Sequence, residues 1–152
     1  MAPPFPLPAP MRRALDLASA AQAAGEVPIG AVVTRDGAII GEGQNRNRRD
    51  HDPTAHAEIV AMRAAAAAIG DFRLAGCDLW VTLEPCAMCA GAISHARIAR
   101  LYYAVGDAKG GAIEQGPRLF TQPQCLHRPE VYGGLAEAEA SALLRDFFAA
   151  RR

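Results

Sequence analysis

The chain has a single lysine, Lys109, a single tryptophan, Trp80, and no stretch of apolar residues near the roughly 20 that a membrane-spanning helix needs. It also lacks net charge, because 16 Lys and Arg balance 16 Asp and Glu. A strongly basic surface, the footprint of a generic nucleic-acid binder, is thereby excluded, and any polynucleotide has to be met by a local patch. That patch would be built almost entirely of arginine, whose planar fork suits phosphate, although an Arg- and Ala-rich composition reads first as a background bias. The opening segment Met1–Pro10 carries five prolines and no apolar core of a signal peptide. A cytoplasmic location is expected, where thiols stay reduced. Of the four cysteines (Cys77, Cys86, Cys89 and Cys125), the close pair Cys86/Cys89 then suggests a metal before a disulfide.

At 152 residues the chain suits one compact domain. The reading is a disordered Pro-rich tail over 1–9 and a single domain over 10–152. Met11, Leu15 and Ala18 form one stripe of a helix over Pro10–Ala24, stopped by Gly25. Ile29–Thr34 and Ala38–Gly43 flank Asp36-Gly37 as two strands of a hairpin. A polar loop follows, then a helix with Thr54 as its cap, running through His56 and the alanines 64–68 to Gly70. Asp78–Leu83 is a strand. Pro85 suits the first turn of a third helix that runs through Cys86 and Cys89. Ile98–Val105 is a fourth strand, and Gly106–Arg128 reads as a long irregular segment of the kind that often carries function. Val131-Tyr132 adds a short fifth strand. A closing helix over Leu135–Ala150 turns Leu143, Leu144, Phe147 and Phe148 inward. Alternating strands and helices after the hairpin predict an α/β fold: a mixed five-stranded sheet covered by helices on both faces, three layers α/β/α.

Two short segments carry the chemistry. Cys86 and Cys89 lie three apart at the start of a helix, so they share a face and can grip one ion. The N-terminal end of a helix favours the thiolate form. His56, at the start of the neighbouring helix, supplies a third ligand, and two thiolates with one imidazole suit zinc. His95 points elsewhere, about 240° around the helix from Cys89, while His51, Cys77, Cys125 and His127 lack ligand spacing. Three protein ligands leave a fourth position open, which is the catalytic pattern. Glu58, two residues beyond His56, then stands beside that position without binding the metal, placed to move protons.

His-x-Glu followed by Pro-Cys-x-x-Cys matches the pattern of zinc deaminases that act on nucleobases. From about Met11 onward the chain further resembles the bacterial TadA family, the tRNA adenosine deaminases. The resemblance rests on Glu26-Val27-Pro28-Ile29-Gly30-Ala31-Val32, Asp52-Pro53-Thr54-Ala55-His56-Ala57-Glu58, Val81-Thr82-Leu83-Glu84-Pro85-Cys86 through Cys89-Ala90-Gly91-Ala92, Asp107-Ala108-Lys109 and Leu143-Leu144-Arg145-Asp146-Phe147-Phe148. It implies a cytidine-deaminase-like fold, one zinc per subunit, and a homodimer with active sites near the subunit interface. It also implies substrate contacts from Asn45, Ile29 and Asp107, and hydrolytic conversion of the wobble adenosine to inosine in the tRNA anticodon loop. Arg46, Arg48, Arg49, Arg118, Arg128, Arg151 and Arg152 are the residues from which a phosphate-binding rim would be assembled. A deaminase of a free base or nucleoside, guanine or cytosine, is the competing expectation. A silent scaffold with structural zinc is a weaker one, because it has no use for Glu58.

Overall fold

The computed structural model describes residues 6–151. Helix α1 spans Ala9–Ala23, followed by strands β1 (Gly30–Arg35) and β2 (Ala38–Gln44), helix α2 (Ala57–Ile69), strand β3 (Asp78–Leu83) and helix α3 (Ala87–Ala96). Strands β4 (Arg100–Val105) and β5 (Glu130–Tyr132) and helix α4 (Glu137–Ala149) complete the chain. The sheet runs β2-β1-β3-β4-β5. β1 is antiparallel to both β2 and β3, whereas β3–β4 and β4–β5 are parallel. The sheet is therefore mixed and five-stranded, as the alternation predicts.

The two faces of the sheet are read off the strand alternation. Ala31, Val33, Leu79 and Val81 pack into one core with Ala61 and Ala65 of α2 and Ala90 and Ile93 of α3. Val32, Trp80 and Ala104 point the other way, into a second core with Met11, Ala14 and Leu15 of α1 and Ala140 of α4. Each large apolar side chain buried there contributes about 1.5–3 kcal/mol. Close approach of α2 to the sheet depends on glycine: a Cβ on Gly43 would meet the Ala57 carbonyl oxygen at 2.3 Å and the Ala61 nitrogen at 2.5 Å.

Several boundaries differ from the sequence expectation. Ala9 already belongs to α1, because Pro8 ahead of it offers its carbonyl to the N–H groups of Met11 and Arg12. Leu7 packs on the second core, so the expected tail over 1–9 does not extend that far as free chain; residues 1–5 lie outside the described residues. Phe148 is 49 % exposed, while Phe147 is buried. One step along a helix is a turn of about 100°, which carries Phe148 off the stripe formed by Ala140, Leu143 and Phe147.

Topology collects one end of the sheet. Leu83 pairs with Val105 where the parallel strands β3 and β4 finish. β1 begins at that same end, with Ala31 opposite Val81, and β2 finishes there, with Gln44 opposite Gly30. Ile29, Asn45, the Glu84–Cys86 segment and Asp107 therefore all emerge on one rim. Ligands of open α/β sheets bind outside such carboxyl ends.

Candidate metal centre

Two helix starts face each other across this rim. His56 is the N-cap of α2 and Cys86 the N-cap of α3, each with extended backbone. The sequence places the cap of α2 two residues earlier, at Thr54. In the structure Thr54 is tied up elsewhere: its N–H and its hydroxyl both donate to Asp52 Oδ1, at 2.8 and 2.7 Å. Likewise Pro85 stands just ahead of α3 instead of inside it. Cys86 at the N-cap and Cys89 three positions on bring their sulfurs together, the spacing that a capping box uses for its two side chains.

His56 Nδ1 lies 3.6 Å from Cys86 Sγ and 3.5 Å from Cys89 Sγ. The three ligand atoms all fall within 4.8 Å of one another, and among the described residues no fourth His, Cys, Asp or Glu joins them. Two soft sulfurs and one imidazole nitrogen converging from two fixed helix starts fit zinc and leave one coordination position for a non-protein group. Hydrogen bonds from Cys89 and His56 hold the Cys86 thiol well below its ordinary range, while the neighbouring Cys86 sulfur and burial push Cys89 up. The hydrogen bond with Cys86 raises His56. One thiolate is thus already favoured before a metal adds its charge.

Glu58, in the first turn of α2, is 4 % exposed. Burial pushes its carboxyl up to about 7. A carboxyl poised there takes up and releases a proton near neutral pH.

Asn45 Oδ1 accepts the Ala57 N–H at 2.9 Å, so this buried side chain caps α2 from a neighbouring loop. Because its oxygen is committed, the amide N–H2 is the end left to meet a ligand. The Asn45 N–H donates to the Ile29 carbonyl at 3.2 Å, which sets the half-buried Ile29 beside it. Asp107 is placed differently. Its Oδ1 accepts the N–H groups of Lys109 and Gly110, both at 3.1 Å, so this carboxylate shapes its own loop.

Of the arginines, Arg46 is paired with Asp50 and Arg49 with Glu26. Arg128 donates to the Gln122 carbonyl, and Arg151 stacks on Phe147 at 3.6 Å. Among the described residues of this set, Arg48, Arg118, Arg128 and Arg151 are exposed without an ion pair; Arg152 lies outside the described residues.

Two residues escape a sequence reading of the site. Glu26 is buried and accepts the N–H groups of Arg48 and Arg49 at 3.2 and 2.8 Å, which pins the loop after β2. Glu84, equally buried, accepts N–H groups from Asp107, Ile113, Glu114 and Gln115. The available signal is an acidic residue standing next to an apolar strand, Glu26 before Val27-Pro28-Ile29 and Glu84 after Val81-Thr82-Leu83.

Residues 8–105 match the model of the cytidine and deoxycytidylate deaminase zinc-binding region. The tRNA-specific adenosine deaminase of Agrobacterium fabrum is 56 % identical over 142 residues, covering 93 % of both chains. The chain belongs to the tRNA-specific adenosine deaminase family. Among solved structures, one from studies of A-to-I editing by tRNA:A34 deaminases superposes with a TM-score of 0.88 at 56 % identity, over 89 % of this chain and 98 % of that one. The guanine deaminase of Bacillus subtilis shares the fold at a TM-score of 0.63 and 36 % identity, over 93 % of this chain and 91 % of its own. Zinc is the metal of this family's binding region, and the three-residue cluster matches it.

Proposed function

We propose that the chain deaminates the wobble adenosine of a tRNA anticodon to inosine by hydrolysis, with His56, Cys86 and Cys89 holding one zinc ion. The observation that carries the reading is the buried Glu58 carboxyl beside a three-ligand cluster, at a site where a structural metal would need no such group. Bound there, zinc would lower the pKa of a water so that a nucleophile forms at neutral pH. Glu58 takes one proton from the water and delivers it to the ring nitrogen as the hydroxyl adds to the ring carbon, then moves the remaining hydroxyl proton to the departing amine as the C–N bond breaks. Water and adenosine become inosine and ammonia. The N–H2 of Asn45 donates to the nucleoside, its orientation set by the Ala57 N–H. Ile29 offers an apolar surface to the base, which has to leave its stack to enter. Asp107 sits on the rim where the RNA backbone would pass.

The identity of 56 % to a tRNA-specific adenosine deaminase, against 36 % to a guanine deaminase, supports the RNA substrate over a free base. A homodimer in the cytoplasm completes the reading. An exposed Phe72 stands beside a groove of 340 Å³ lined by Ile59, Met62 and Ala66 of α2 and Ala92 of α3, an apolar face suited to a second copy. No helix among the described residues is long and apolar enough to cross a membrane.

The test is inosine formation in an anticodon stem-loop. Glu58→Ala should abolish it while one zinc per chain remains bound. A Glu58→Ala protein that still makes inosine would sink the assignment.

A further inference from the structure

We propose that Glu84 is a positioning residue that indexes the substrate-facing loop to the metal-binding helix, so that it governs how substrate is held and leaves the chemical step alone. This rests on the deaminase reading above. Glu84 is 2 % exposed and its two carboxylate oxygens are fully engaged by backbone. Oε1 accepts the Asp107 N–H at 3.0 Å. Oε2 accepts the N–H groups of Ile113, Glu114 and Gln115 at 3.0, 2.8 and 3.0 Å.

These donors come from two places, 107 and 113–115, in the first part of one segment, which leaves β4 at Gly106 and wraps around the carboxylate. Gly111 lies so close that a Cβ there would meet the Glu84 carboxyl carbon at 2.6 Å and the Asp107 carbonyl oxygen at 2.5 Å. The loop is fastened a second time at the metal helix, where the Ala112 N–H donates to the Pro85 carbonyl at 2.9 Å. Glu84 and Pro85 immediately precede Cys86. The loop thus takes its position from the strand end that also delivers a metal ligand. An ordinary hydrophobic anchor would hold the loop to the sheet; four N–H groups aimed at one carboxylate fix its angle and height relative to the start of α3. The loop occupies the rim at the carboxyl ends of β3 and β4, where substrate has to pass.

In Glu84→Gln one oxygen becomes an N–H2 that faces N–H donors, and the loop loses its reference. Gly111→Ala disturbs the same contact from the loop side. Its clash is with neighbouring atoms and not with its own backbone, since Gly111 has no positive φ. The experiment measures steady-state kinetics of the zinc-loaded full chain on an anticodon stem-loop, for both variants and their combination. Zinc content is measured alongside, and amide hydrogen exchange at 107 and 113–115 is followed in Glu84→Gln. The expected result is a KM raised about tenfold to a hundredfold in each single variant, with kcat within about threefold and one zinc per chain. The double variant should be little worse than the worse single one, because both break one contact. Exchange at the four amides should accelerate in Glu84→Gln. If that variant does not fold, Gly111→Ala carries the kinetic arm. An unchanged KM, or a loss of zinc and kcat with KM unchanged, overturns the proposal. If the wild-type chain leaves the stem-loop untouched, the substrate reading fails. Unchanged protection of the four amides then separately overturns the role of Glu84.

Discussion

At the scale of single residues, the site divides into groups that act through side-chain chemistry and groups that act through backbone. His56, Cys86, Cys89 and Glu58 are legible in the sequence because ligand chemistry restricts residue type and helix geometry restricts spacing. Glu26 and Glu84 are not, because their partners are N–H groups of loops, and no side-chain pattern encodes where those point. Glu26 still leaves a measurable mark. Burial pushes its carboxyl up, but hydrogen bonds from Arg49 and Arg48 and the Arg49 charge outweigh this and leave it below its ordinary value of 4.5. A lowered folded value means stability that is fully present above 4.5 and is lost as the pH falls through the lowered value. Chemical denaturation between about pH 5 and about pH 3 should therefore show wild type losing stability more steeply than Glu26→Gln. Parallel curves for the two proteins would show that the Arg48–Arg49 loop does not depend on this charge.

At the scale of elements, strands are the most readable feature, because a strand buried on both faces stands out as a short continuous apolar run. Asp78–Leu83 stands where the apolar pattern puts it. Helix starts were less readable. The pattern favours Thr54 and Pro85 as local signals, whereas the true start of α2 is satisfied from a distance by Asn45. The segment after β4 is unreadable beyond being irregular, since a buried carboxylate just past the end of β3 organises it. Packing of α2 on β2 decides where His56 and Glu58 stand, and Gly43 lies directly beneath that first turn. Gly43→Ala should cost about 1–3 kcal/mol in urea denaturation through overpacking. It should also weaken zinc binding in chelator competition, because the turn that is pushed away carries a ligand. Wild-type zinc affinity in a destabilised Gly43→Ala protein would show that the helix start is held independently of the sheet.

At the scale of the whole molecule, zero net charge calls for recognition by a shaped rim more than by a broad electrostatic surface. The apolar face along α2 and α3 calls for a partner, and the proposed partner is a second copy. Sedimentation at micromolar concentration should give twice the chain mass of 16.0 kDa, and Phe72→Asp should shift the population toward the single chain. A wild-type protein that sediments as one chain would contradict the dimer. The central claim is tested most directly by ammonia release from the zinc-loaded protein. An anticodon stem-loop with a wobble adenosine would be compared with free adenine, adenosine, guanine and cytosine. Turnover confined to the stem-loop is the predicted result. Turnover of a free base with the stem-loop left intact would keep the zinc chemistry and contradict the assigned substrate.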